Sequence, residues 1–164
     1  MEIRHAKKAD LPQILAIYEA AVIFMREQNN PNQWTKTPEV SLLTGFIEQE
    51  KLYVCEDKGE IVGVFYFAIE EDETYKVIDG EWPNDREYGV IHKISALHKS
   101  KGVGTFMISW CLKQIDNVRI DTHEDNVPMQ NLLAKLGFSY CGVIRLQNGE
   151  PRRAYQKDLR QRNT

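Results

Sequence analysis

The spacing of apolar and polar positions changes several times along the chain, and each change predicts an element. Residues 2–6, EIRHA, read as a short strand closed by the charged KKAD. From Asp10, a residue suited to an N-cap, Leu11, Ile14, Leu15, Tyr18, Val22 and Met25 recur at the spacing of one helical face. This predicts an amphipathic helix to about Gln28, broken by NNPNQW. Thr37, Pro38 and Glu39 then give a second start signal ahead of an apolar face of Leu42, Leu43, Phe46 and Ile47. Residues 51–69 are rich in β-branched and aromatic side chains and are split by EDKGE, with Gly59 available for the turn, so they predict two antiparallel strands. A third apolar run, YGVIHKISAL at 88–97, predicts a central strand.

Beyond it, Val103, Phe106, Met107, Trp110 and Cys111 fall on one helical face. NVRIDTH at 117–123 reads as a strand. Asn126 is a cap for the next helix, with Pro128 in its first turn, Met129, Leu132, Leu133 and Leu136 on one face, and Gly137 as the stop. FSYCGVIRL and RRAYQKDL pair as a last hairpin around Asn148 and Gly149, read as a two-residue turn. The strand-helix-strand unit at 88–123 demands a parallel pair and the hairpins demand antiparallel ones. The fold class expected is therefore α/β, a mixed β-sheet flanked by helices.

Size and composition narrow the function. At 164 residues and 42% hydrophobic content, positions 1–164 suit a single domain with one core. A net charge of −3 gives no general basic face for nucleic acid. The apolar runs fall far short of the roughly 20 residues of a membrane span, and MEIRHAKKAD lacks a signal-peptide core, so no membrane partner and a cytoplasmic location are expected. Cys55, Cys111 and Cys141 form no CxxC pair and are expected as reduced core residues. His5, His92, His98 and His123 lack the spacing of zinc ligands, and no metal is expected.

The segment HKSKGVGTFMISWCL at 98–112 carries the first chemical question. A loop leaving a strand and entering a helix presents unpaired amides at the positive end of the helix dipole, which suits phosphate or pyrophosphate. Gly102 and Gly104 let a ligand approach the backbone, and Lys99 and Lys101 supply charge at the rim. The same glycines serve equally well as a tight turn. The Walker pattern is absent, and Met107 stands where GxGxxG needs its third glycine.

KSKGVG at 99–104 resembles the [QR]xxGx[GA] acetyl-CoA signature of the GNAT acyltransferase superfamily, with Lys99 where Gln or Arg is usual. DTHEDNVPMQNLLAKLGF at 121–138 resembles the second element of that family, in which an Asn caps a helix ending in Gly-Phe. The element order is similar along essentially the whole chain. The resemblance implies acetyl-CoA as acyl donor. It implies that backbone groups of Ile94 and Ala96, around Ser95, pair with the pantetheine arm. It also implies that amides of Lys99, Ser100, Lys101, Gly102, Val103, Gly104 and Thr105 hold the pyrophosphate, and that Asn126 contacts the arm from the other side.

Acetyl transfer to an amine needs a base for the ammonium, whose ordinary pKa is about 10.4, and an acid or stabiliser for the leaving thiolate. The family often places a Tyr in its second element for the latter. Here that position is Leu133, which leaves Tyr140, a solvent proton or no acid at all. His92 is the favoured base, sharing a strand face with Tyr88 and Val90, with a core histidine as the other reading. His123 is the second candidate, with a loop or capping role as its alternative.

Glu70, Glu71, Asp72, Glu73, Asp79, Glu81, Asp85 and Glu87 make the 70–87 connector acidic, either to attract a cationic amine or as a solvated loop. Trp34 and Trp82 either wall an acceptor pocket or cover the core edge. The function expected is transfer of an acetyl group to a primary amine of a small molecule or peptide. A non-catalytic acyl-CoA-binding module and a cofactor-free interaction domain are the alternatives. The last hairpin pairs within one chain or between two, the latter giving a homodimer.

Overall fold

The computed structural model describes residues 1–27 and 36–160; the expected helix end at Gln28, the NNPNQW break and Trp34 lie outside them. The strands are β1 (Glu2–His5), β2 (Leu52–Asp57), β3 (Glu60–Ile69), β4 (Asp79–Gly80), β5 (Gly89–Ala96), β6 (Asn117–Thr122), β7 (Ser139–Arg145) and β8 (Pro151–Asp158). The helices are α1 (Leu11–Glu27), α2 (Val40–Glu48), α3 (Val103–Gln114) and α4 (Val127–Lys135). No helix among the described residues is long and apolar enough to cross a membrane. The chain forms two compact units, one of Met1–Phe67 with Lys93–Trp110 and the other of Ala68–His92 with the chain from Cys111 onward.

In the first unit β1 pairs antiparallel with β2, and β2 with β3 across the Gly59 turn, as the alternation requires. The amide of Leu97, just past β5, donates to Val62 of β3 at 2.8 Å. α1 buries Ile14, Ile17, Tyr18, Ala21 and Val22. The buried face is turned from the expected one: Ile17 and Ala21 are buried, while Leu11, Leu15 and Met25 are only half-buried, since packing chooses among adjoining apolar rows of the helix. Asp10 does not cap α1 as expected. It ends a short 3-10 turn, Lys8–Asp10, and its carboxylate accepts from the Lys7 amide at 2.7 Å and from the Arg4 guanidinium at 2.8 Å. The hydrogen bond from Arg4 holds the Asp10 carboxyl below the ordinary range.

In the second unit β5 runs parallel to β6, from Gly89↔Val118 to Ile91↔Ile120. β6 is antiparallel to β8, β8 to β7 and β7 to β4, so the mixed sheet expected from the hairpins and the single crossover is present. The last hairpin closes within the chain, but not through a two-residue Asn-Gly turn. Leu146 and Glu150 are its last hydrogen-bonded pair, and the Gly149 amide returns to Leu146 at 2.8 Å with Gly149 at φ +88°. That is a three-residue loop ending in a left-handed glycine, a common hairpin closure.

β4 has no sequence signal, being two residues long with no apolar alternation. Its pairing depends on two glycines passing each other. A Cβ on Gly80 would meet the Cys141 carbonyl oxygen at 2.2 Å, and one on Gly142 would meet that of Asp79 at 2.2 Å. The three cysteines are buried and unpaired, and burial pushes the Cys55 and Cys141 thiols up to about 11.

Candidate functional site

In the first unit, β5 ends at Ala96 and residues 97–102 turn the chain into α3. The Phe106 amide donates to the Gly102 carbonyl at 3.0 Å, the first bond of the helical ladder. The amides of Val103, Gly104 and Thr105 precede it and have no acceptor within the helix. Gly102 has φ +78°, and a Cβ there would meet nothing within 4 Å. Open space, three amides and the positive helix end together fit a pyrophosphate.

Lys99 forms an exposed ion pair with Glu60, Lys101 is exposed and Ser100 half-buried. His98 packs against Phe24 of α1, ring centroids 3.9 Å apart and planes tilted by 34°. Ser95 is buried, with Ile94 and Ala96 half-buried on either side. Just before them Lys93 adopts φ +52°, and its carbonyl accepts the hydroxyl of fully buried Tyr18 at 2.8 Å. Side-chain alternation along β5 is interrupted there.

In the second unit the acidic connector separates into two populations. Glu71, Glu73, Asp79, Glu81, Asp85 and Glu87 are exposed, whereas Glu70 is half-buried and Asp72 turns inward. Asp72 caps a short 3-10 turn, Glu73–Tyr75. Its Oδ1 accepts from the Thr74 amide at 2.9 Å and the Thr74 hydroxyl at 2.6 Å, while Oδ2 lies 2.6 Å from His92 Nε2. Burial would raise the Asp72 carboxyl, but the bonds from His92 and Thr74 outweigh it and bring it down to about 2. Ionised Asp72 accepts, so His92 Nε2 donates and Nδ1 is the basic nitrogen of the neutral ring. Nδ1 lies 3.8 Å from Asp121 Oδ1, which itself accepts the Tyr75 hydroxyl at 2.5 Å. Burial first, then Asp121, pushes the Tyr75 hydroxyl far above its ordinary range, so it stays a donor.

This cluster rests on a buried scaffold. The Arg119 guanidinium lies 4.1 Å from the ring centroids of both Trp82 and Tyr88. It donates to Gln156 Oε1 at 3.0 Å and to the Asn84 carbonyl at 2.7 Å. Gln156 in turn donates to Asn117 Oδ1 at 2.5 Å, and Asn117 to the Glu87 carbonyl at 3.1 Å. Trp82 donates from its indole to the Tyr75 carbonyl at 2.9 Å, and Tyr88 accepts the Asp72 amide at 2.8 Å. Residues 72–88 are thus tied to β6 and β8 by side chains that the sequence scattered over seventy positions.

The other anticipated residues lie around α4 and β7. The Asn126 side chain caps α4, accepting from the Met129 amide at 3.2 Å. His123 Nδ1 accepts from the Asp125 amide at 3.0 Å, and its carbonyl accepts from Asn126 and Gln130. Tyr140 is 49% exposed, with the Arg153 guanidinium 4.2 Å over its ring. Leu133 is fully buried, and so is the Thr122 hydroxyl at the end of β6, which has no partner among the described residues.

Four residues of the His92 cluster, Asp72, Tyr75, Arg119 and Asp121, were not singled out by sequence reasoning for chemistry. Alternation along RIDTH did offer a signal, since it puts Arg119 and Asp121 on one face of β6. Asp72 had none, being one acid among eight.

The family model described as acetyltransferase (GNAT) family matches residues 15–138. Among curated proteins the chain is similar to a streptothricin acetyltransferase from Escherichia coli, 31% identical over 100 residues, 57% of each chain. The matched part thus spans little more than half the length of that relative. Among solved structures, an acetyltransferase of the GNAT family from Streptococcus agalactiae is 28% identical, with 96% of this chain and 94% of that chain covered and a TM-score of 0.87. The fold is also that of yncA from Salmonella typhimurium, solved with its cofactor acetyl-CoA, at 18% identity, a TM-score of 0.66 and coverage of 100% and 96%.

Proposed function

This chain belongs to the acetyltransferase (GNAT) family, and we propose that it moves an acetyl group from acetyl-CoA directly onto a primary amine of a small molecule or peptide. The observation that carries the reading is His92, with Nε2 2.6 Å from Asp72 and Nδ1 3.8 Å from Asp121. An imidazole set between two carboxylates suits an acceptor that arrives as a cation and must lose a proton before it can attack. The similarity to a streptothricin acetyltransferase supports acetyl transfer as the reaction and puts that class of small molecule first among acceptors to try.

The residues present fit the donor. The amides of Val103, Gly104 and Thr105 and the open space at Gly102 suit its pyrophosphate, with Lys99, Ser100 and Lys101 at the rim and the backbone of Ile94, Ser95 and Ala96 for its amide-bearing arm. Bound acetyl-CoA would supply an activated acyl group with a good leaving thiol. His92 accepts the ammonium proton. Tyr140 and His123 stay secondary candidates, the first for its exposure and the second because its Nδ1 already serves a turn. Asn126 offers the arm its amide nitrogen, since its oxygen caps α4. One cytoplasmic domain over 1–164 belongs to the same proposal; because the last hairpin closes within the chain, a homodimer would have to use another surface, and sedimentation equilibrium tests for one.

A screen of amines following thiol release, run with wild type and His92→Gln, tests the reaction. Turnover on at least one amine, lost in the variant with CoA binding retained, is the expected result. The second reading, a non-catalytic acyl-CoA-binding module, is favoured by buried Leu133 at the position of the family Tyr. CoA binding without thiol release across the whole panel selects it instead.

A further inference from the structure

The acidic connector suggests, as a sequence, a field that draws in a cation. The geometry of Asp72 says something different. Both of its oxygens are already engaged: Oδ1 by the amide and hydroxyl of Thr74, Oδ2 by His92 Nε2. Its backbone amide is held as well, by the Tyr88 hydroxyl, and Tyr88 is packed against the Arg119 guanidinium. A carboxylate held by three hydrogen bonds, on a residue whose amide makes a fourth, is a poor lure for an incoming ammonium but a good fixture for a ring. Asp121 is placed differently. Its Oδ1 takes the Tyr75 proton and stands 3.8 Å from Nδ1, beyond hydrogen-bond distance, so it does not compete with Asp72 for the ring.

We infer that Asp72 is a positioning residue that holds His92 with its proton on Nε2 and turns Nδ1, on the Asp121 side, toward the acceptor amine. The inference rests on the acetyl-transfer reading above. In the step it serves, an N–H bond of the ammonium breaks and an Nδ1–H bond forms. The electron pair stays on the amine nitrogen as its nucleophilic lone pair. Asp72 remains ionised and strengthens its bond to the imidazolium. The proton leaves His92 afterwards, to water or to the thiolate released by the transfer.

Asp72→Asn tests this because it preserves the turn while reversing the hydrogen bond. Its Oδ1 still accepts from Thr74, and its Nδ2 now donates to Nε2, which moves the ring proton to Nδ1. The wild type is expected to show the Nε2–H tautomer in ¹⁵N imidazole spectra, and the variant the Nδ1–H tautomer. The acceptor kcat is expected to fall about 10²- to 10⁴-fold, with acceptor KM and the Kd for CoA nearly unchanged. Asp72→Ser, which keeps a capping oxygen but cannot reach Nε2, is expected to give mixed tautomers and an intermediate loss; it serves as the test if the Asn variant does not fold.

An unchanged tautomer in both variants overturns the inference. So does a variant that raises acceptor KM with strong salt dependence and leaves kcat intact, the signature of steering. If the tautomer switches but the wild type releases no thiol with any amine, the Asp72–His92 fixture stands and the acetyl-transfer reading fails.

Discussion

Two connectors bracket β5 in the chain, and they offer a ligand opposite things. Residues 97–102 and the first turn of α3 offer backbone: the amides of Val103, Gly104 and Thr105 and the space left by Gly102. Residues 70–88, leading into β5, offer side chains, each held by another: Asp72 by Thr74, Tyr75 by Asp121, Trp82 and Tyr88 by Arg119. A backbone cradle depends on the path of the chain and tolerates changes in side chain. A side-chain cluster depends on every partner and is only as good as its most distant support. The first kind of site is written in a short motif, whereas the second is distributed over the fold.

Breaking the support of the side-chain cluster is expected to have the largest effect. Arg119→Met leaves Gln156 Oε1 and the Asn84 carbonyl without their donor and removes the cation between two rings. A loss of about 3 kcal/mol is expected, read as a lower denaturant midpoint at unchanged slope. Acceptor turnover should fall while CoA affinity holds; equal loss of both would mean that the two connectors are not independent.

Next comes acid. The Asp72 carboxyl lies at about 2 when folded against an ordinary 3.8, so the stability it lends is present above about pH 4 and drains away as the pH falls through 2. The contribution is about 2 kcal/mol. Unfolding free energy measured against pH should lose that amount in this window for the wild type relative to Asp72→Asn, and parallel curves would remove Asp72 from the account.

In the backbone cradle, Gly102→Ala strains a residue at φ +78° by about 1 kcal/mol. Its new methyl meets no protein atom within 4 Å, so any weakening of CoA binding beyond that strain reports a ligand lying against the loop. Calorimetry showing an unchanged Kd would reduce the loop to a turn. The smallest effect is expected for Lys99→Ala, whose exposed pair with Glu60 contributes less than about 0.5 kcal/mol to folding. Its mark should be a shallower salt dependence of CoA binding.

The first connector was legible in the sequence because a helix start, a glycine and an apolar stripe are local signals that survive in isolation. Val103, Met107 and Cys111 are buried as their spacing requires. The second was not, because Asp72 is indistinguishable from its acidic neighbours until the 3-10 turn points it inward. Asp10 makes the same point on a smaller scale: it reads as a cap for the helix that follows, and Arg4 with the Lys7 amide turns it back toward the residues before it. β4 and the closure of the last hairpin were misread or missed for a related reason. Gly80 and Gly142 let two segments pass each other, and a glycine in sequence does not say what approaches it; Gly149 supplies a left-handed φ, and the dipeptide does not say how long a loop it closes.

The sequence by itself determined the α/β order, the mixed sheet, the helix-end loop at 98–105 and the family, since periodicity, caps and turn residues act over a few neighbouring positions. Only the tertiary structure decided that one acidic residue of eight reaches His92, that Tyr75 occupies Asp121, and that a buried arginine on β6 holds the connector in place. Those contacts join residues 20 to 46 positions apart, and in a low-dielectric setting their strength comes from geometry that no local pattern encodes.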